Sequence, residues 1–215
     1  MVIKKEQRAQ ETKNLILKAA GKLFSIKGYD AVTMREIAKE AGCSHTTIYL
    51  YFKDKEALLH QLAMPTLQKL YTQLSALLKS EEATSLDKLK NISHVYIIFG
   101  LENQNMYSVL INAKSSKVDE AQPELEINKL RIKLFEMLME ALQHCLSIPK
   151  GEQLLTYTRI FYYHLNGILT TYSYMHESLD TLLDRLTPTF DLSIEILIAG
   201  FRKNTEERSE YNESN

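Results

Sequence analysis

Between Thr33 and Phe52 the chain reads TMREIAKEAGCSHTTIYLYF, and this stretch constrains the fold more than any other. Thr33 can cap a helix, and Glu36 three residues on completes a capping box. Ile37, Ala38 and Ala41 form a narrow apolar stripe. Gly42 stands where the chain must leave the helix, and glycine enters the left-handed region without steric cost. Ser44 can then cap a second helix through His45, Thr46, Thr47, Ile48, Tyr49, Leu50 and Tyr51. A small residue, a turn glycine and a branched apolar residue at Ala38, Gly42 and Ile48 are what a helix-turn-helix requires.

The second helix presents His45, Thr46, Thr47, Tyr49 and Tyr51, all with hydrogen-bonding tips and none acidic. Lys53 and Lys55 follow at once. Such a face suits a major groove, in which Ser44, His45, Thr46, Thr47, Tyr49 and Tyr51 read base edges. Thr33, Arg35, Lys53 and Lys55 would hold phosphates. The plainer alternative is a helical hairpin with a solvated face.

Residues 12 to 59 resemble the N-terminal domain of the tetracycline-repressor (TetR) family of transcription regulators. The resemblance rests on the opening helix ILKAAGKLFSIKGYDAVTMREIA, the turn AGCS and the run TIYLYFKDKEALL. Tyr49 and Phe52 with Lys55, Glu56 and Leu58 are its most diagnostic residues. Cys43 stands where the family usually has valine, and Thr46 where glycine, lysine or proline is common. The resemblance covers about a quarter of the chain. It implies a homodimer, an operator, an effector pocket in the body, and a helix joining the two domains.

The net charge of −1 argues against a nucleic-acid partner until its distribution is considered. Residues 1 to 55 hold eleven Lys/Arg against six Asp/Glu, a net of +5, and the remainder carries −6. A basic head on an acidic body meets phosphates through one face. Strong helix formers, with seven glycines and four prolines in 215 residues, point to an all-α chain. Cys43 and Cys145 lack metal-ligand spacing and read as buried, reduced thiols of a cytoplasmic protein. No apolar signal segment opens the chain, and the run Val95 to Leu101 is too short to cross a membrane.

The expected domains are an N-terminal arm and helix-turn-helix domain over 1–55, a linker helix and helical body over 56–204, and a disordered tail over 205–215. Residues 1 to about 10 read as a poorly ordered arm before a helix ending at Lys27. A helix capped by Asp54 contains Pro65, a site for a bend or a joint. Later helices are expected over about 85–101, 123–146 and 152–176. A last one starts at Pro188 and ends near Phe201, after a short helix within 178–186.

No glycine-rich phosphate loop, nucleophile elbow or paired metal ligands appear, so catalytic and metal residues are none, and no cofactor is expected. Large, mostly uncharged side chains instead suggest a pocket for an apolar or mildly polar small molecule. Tyr96, Phe99, Met106, Tyr107 and Leu110 would contribute from one part of the body. Phe161, Tyr162, Leu165 and Tyr172 would contribute from another. His94, His164 and Asn166 would supply polar contacts. An ordinary helical core is the alternative for each of them.

In the last helix Phe190, Ser193, Ile194, Leu197, Ile198 and Phe201 make one apolar face, while Leu192, Ile196 and Ala199 make a second. The preceding helix is similarly wide, with Phe161 and Ile168 on its stripe. Two doubly apolar helices suggest a four-helix bundle between two copies of the chain.

The sequence thus predicts an all-α fold: a three-helix helix-turn-helix domain plus a larger helical ligand-binding and dimerisation domain. The expected function is sequence-specific regulation of transcription, as a homodimeric repressor released from a pseudo-palindromic operator by a small-molecule effector. The alternative is a protein-interaction or architectural DNA-binding module without an effector. A small helical enzyme ranks last.

Overall fold

The computed structural model describes residues 2–81, 83–111, 123, 125–172 and 177–213, with side chains from residue 6 to 208 apart from 105 and 108. Every regular element among them is an α-helix. In chain order these are α1 (Val2–Lys27), α2 (Met34–Glu40), α3 (His45–Tyr51), α4 (Lys55–Lys79), α5 (Ser85–Glu102), α6 (Gln104–Ile111), α7 (Glu126–Leu146), α8 (Glu152–Thr171) and α9 (Leu179–Glu213). None of the described helices is long and apolar enough to cross a membrane.

Helix starts follow local chemistry. The Asp54 carboxylate accepts the Ala57 N–H at 2.8 Å and opens α4. The Thr84 hydroxyl accepts from Asp87 and opens α5, and the Ser178 hydroxyl accepts from Thr181 and opens α9. Two glycines with positive φ, Gly28 at 79° and Gly42 at 70°, end α1 and make the turn after α2.

The chain divides into two compact units, 1–69 with 103–132 and 70–102 with 133–215. The first therefore reaches past residue 55 and takes in α6. Its core is Ile16, Ala20, Phe24, Ile37, Ile48, Phe52, Leu58 and Leu59, all buried, and α6 packs against α1. Arg131 closes the C-terminal end of α6, donating to the carbonyls of Leu110 and Val109 at 2.8 and 3.1 Å.

In the second unit α5 packs against α8 and α9. Gly100 permits the first contact, because a Cβ there would lie 2.5 Å from the Leu169 side chain. Lys90 and Glu195, at 2.6 Å, tie α5 to α9. Helices α8 and α9 run antiparallel. Tyr157 stacks on Phe201 with centroids 4.4 Å apart, His164 meets Ser193 at 2.8 Å, and Tyr172 meets Phe190 at 6.0 Å.

Three expectations about element limits fail. The N-terminal arm is helical from Val2, since no breaker interrupts the helix formers before Gly28. Pro188 lies inside α9 rather than at its start. Leu182, Leu186, Phe190 and Ile194 are all buried at i, i+4 spacing across it, and that stripe outweighs one missing hydrogen bond. The segment from Thr205 to Glu213, expected to be disordered, continues α9, helped by the Lys203–Glu207 pair. Helix α8 ends at Thr171, and residues 173–176, including His176, lie outside the described residues, as do residues 112–122 and 124.

Candidate nucleic-acid interface

Helices α2 and α3 are fixed by their caps. The Thr33 hydroxyl accepts from the Glu36 N–H, and Glu36 Oε2 accepts from the Thr33 N–H and hydroxyl at 2.9 and 2.8 Å. Lys27 donates to the same carboxylate at 2.8 Å. The Lys27 hydrogen bond first, then the two from Thr33, holds the Glu36 carboxyl at about 2. On α3 the Ser44 oxygen accepts from the Thr47 N–H at 2.9 Å and pairs with the Thr47 hydroxyl at 2.7 Å. Thr33, Ser44 and Thr47 thus spend hydrogen-bonding capacity on the hairpin itself, more than their expected DNA roles implied.

Lys55 corrects the expectation more sharply. Its ammonium donates to the carbonyls of Tyr29, Asp30 and Val32 at 2.8, 3.3 and 2.8 Å and sits 4.4 Å from the Tyr29 ring centroid. An ammonium has three protons, and all three are spent closing the turn between α1 and α2. Lys55 is therefore a brace rather than a phosphate ligand. Burial first, then the carboxylates Glu56, Asp54 and Asp30, pushes the nearby Tyr29 hydroxyl up to about 12.

The remaining candidates point outward. His45, Thr46, Tyr49 and Lys53 are exposed, and Tyr51 is half-buried. The His45 and Tyr49 rings meet edge to face at 5.2 Å, which aligns them one turn apart. Arg35 is exposed and has no hydrogen-bonding or ionic partner among the described residues. It lines a concavity of about 390 Å³ with Glu36, Ala38, Lys39, Cys43 and His45. Lys39, exposed at the end of α2, was not among the sequence candidates, although its i, i+4 spacing from Arg35 puts both on the face that lines this hollow. Leu50 was missed as well and is 79% exposed.

A family of bacterial regulatory proteins, tetR, matches residues 16–62. The chain carries a TetR-family head. The regulator AcrR of Shigella flexneri is 44% identical over 62 residues, 29% of this chain and 29% of AcrR. The fatty acid metabolism regulator protein of Bacillus subtilis is 28% identical over 138 residues, 63% of each chain. The solved transcriptional regulator FadR of Bacillus subtilis, in complex with stearoyl-CoA, superposes with a TM-score of 0.61 at 23% identity. That match covers 86% of this chain and 97% of FadR, so the likeness of fold extends beyond the head. The chain spans less than a third of the length of AcrR and of two other curated relatives that match its head.

The expected pocket residues of the body fall in both units. Met106, Tyr107 and Leu110 lie on α6 in the first unit. In the second, Tyr96 and Phe99 are buried, and Phe161 and Leu165 belong to the core. Tyr162 brings Tyr96 and Phe135 together, with centroids 6.4 and 5.6 Å away. Asn166 donates to the Tyr162 carbonyl. His94 Nε2 lies 2.8 Å from an Asp191 oxygen, a contact between α5 and α9. The Ser193 hydroxyl donates to the Phe190 carbonyl and so accepts from His164 Nε2. Burial pushes the His164 pKa down. His164 and Tyr172 therefore help to join α8 to α9.

Phe161 is also corrected as a dimer residue, being 0% exposed within the chain. Ile168 is half-buried, Ala199 is exposed, and Leu192 and Ile196 are 55% and 62% exposed. Ile160 and Tyr163 on α8 are exposed too.

Proposed function

We propose that the chain is a sequence-specific DNA-binding repressor, working as a homodimer in the cytoplasm and released from a pseudo-palindromic operator by a small-molecule effector. The outward face of α3 carries this reading: His45, Thr46 and Tyr49 project from a helix locked at both ends, with Arg35, Lys39 and Lys53 exposed in the same head. Hydrogen-bonding tips suit base edges, and the cations suit phosphates.

Dimerisation is supported by apolar residues of α8 and α9 that stay exposed within the chain. Ile160 and Tyr163 on one and Leu192, Ile196 and Ala199 on the other leave an apolar patch in water. A two-fold axis through it would make a four-helix bundle and give the dimer two recognition helices, as a palindromic operator requires.

The effector is an apolar or mildly polar molecule, and the aromatic residues around Tyr162 support it. Since the related FadR was solved with stearoyl-CoA, long-chain acyl-CoA is the first class to test. Selection of bound sequences from random duplex DNA tests the whole reading. Recovery of a palindrome with half-sites about one helical turn apart supports it; recovery of no preferred sequence rejects it.

A further inference from the structure

On α3 the buried residue Ile48 defines the inward direction. At 3.6 residues per turn, Thr46 and Leu50 stand about 160° and about 200° round the helix from it. They form the outermost line of α3. Leu50 is a large apolar side chain, 79% exposed, on a helix whose other outward groups carry hydrogen-bonding tips.

We propose that Leu50 reads thymine in the major groove through its 5-methyl group. This rests on the reading of α3 as the recognition helix. A leucine cannot answer the donors and acceptors on base edges, so it adds nothing to reading by hydrogen bonds. Thymine alone among the bases offers an apolar group at the major-groove edge. The Thr46 methyl on the same line extends the apolar strip by one turn. The hydroxyls and rings beside the strip, Thr46 and Tyr49 with His45, read the neighbouring polar atoms. Leu50 makes no contribution to the core, so its replacement leaves the fold unchanged.

The test pairs a protein change with a single-methyl change in DNA. Duplexes of the recovered sequence are made with one thymine at a time replaced by deoxyuridine, which removes only the methyl. The wild-type protein should lose about fourfold in affinity at one thymine of each half-site, the amount expected for one buried methyl. Leu50→Ala should bind the thymine duplex about as weakly as wild type binds the uracil one, and should be indifferent to the replacement. Leu50→Met should keep the dependence. Circular dichroism and unchanged binding to unrelated duplex DNA verify that the variants are folded.

Wild-type binding indifferent to every replacement overturns the proposal while leaving sequence-specific recognition in place. So does equal sensitivity of wild type and Leu50→Ala at every thymine. Failure to recover any preferred sequence overturns the recognition reading itself, and this inference with it.

Discussion

Replacing Lys55 by methionine keeps the stem and removes the three protons that close the turn between α1 and α2. Partly buried carbonyls are then left without donors, at a cost of about 1–3 kcal/mol. We expect a lower unfolding temperature for Lys55→Met and an unchanged salt dependence of DNA binding. Lys53→Ala should do the reverse: unchanged stability, uniformly weaker binding, and a log–log salt slope smaller by about one. Denaturation and salt-titrated affinity measurements separate the two. Glu36 offers a pH test. Its folded pKa of about 2 lies below the ordinary carboxylate value of 4.5, so its contribution is present above about pH 4.5 and disappears as pH falls through 2. Thermal unfolding should show Glu36→Gln less stable than wild type at neutral pH, with the gap closing through that acid window. A gap independent of pH would mean that the ionised Glu36 carboxylate is not the source of the stabilisation.

At the scale of the element, α9 carries the clearest expectation. Its buried stripe faces α5 and α8, while Leu192, Ile196 and Ala199 remain exposed. Ile196→Glu with Ala199→Glu leaves the folded chain intact, because neither side chain is buried within it. At a dimer interface the same carboxylates would be buried without partners, at a cost of several kcal/mol. Sedimentation should show a folded monomer with much weaker operator binding. A wild-type protein that sediments as a monomer at micromolar concentration ends the bundle proposal. Gly100 tests the other side of the packing: Gly100→Ala pushes into Leu169 and should lower stability by about 1–3 kcal/mol, measured by chemical denaturation.

For the whole molecule, the opposed charges of the N-terminal 55 residues and the remainder favour approach to DNA through the head. An effector that weakens operator binding must itself be weakened by operator, by the same factor. Calorimetric titration with an acyl-CoA, with and without saturating operator duplex, should give affinities that differ by the factor seen in the DNA measurement. An effector bound equally tightly in both conditions would exclude release by this linkage.

The turn Ala41–Ser44, both caps, and the buried positions Ile37, Ala38 and Ile48 could be read from the sequence alone. Each follows from residues within four of one another, where backbone geometry is local. The outward face of α3 was legible for the same reason, although Leu50 was passed over because an exposed leucine resembles a core residue in a sequence. Tertiary structure decided what long-range partners decide. Lys55 reaches carbonyls 23 to 26 residues earlier in the chain and becomes a brace. Pro188 is carried through a helix by a stripe that other helices bury. Phe161 and Ile196 are both large and apolar, yet one enters the core and the other faces water. Hydrophobicity is a property of the residue, but the side of a helix that finds a neighbour is set by the packing of the whole chain.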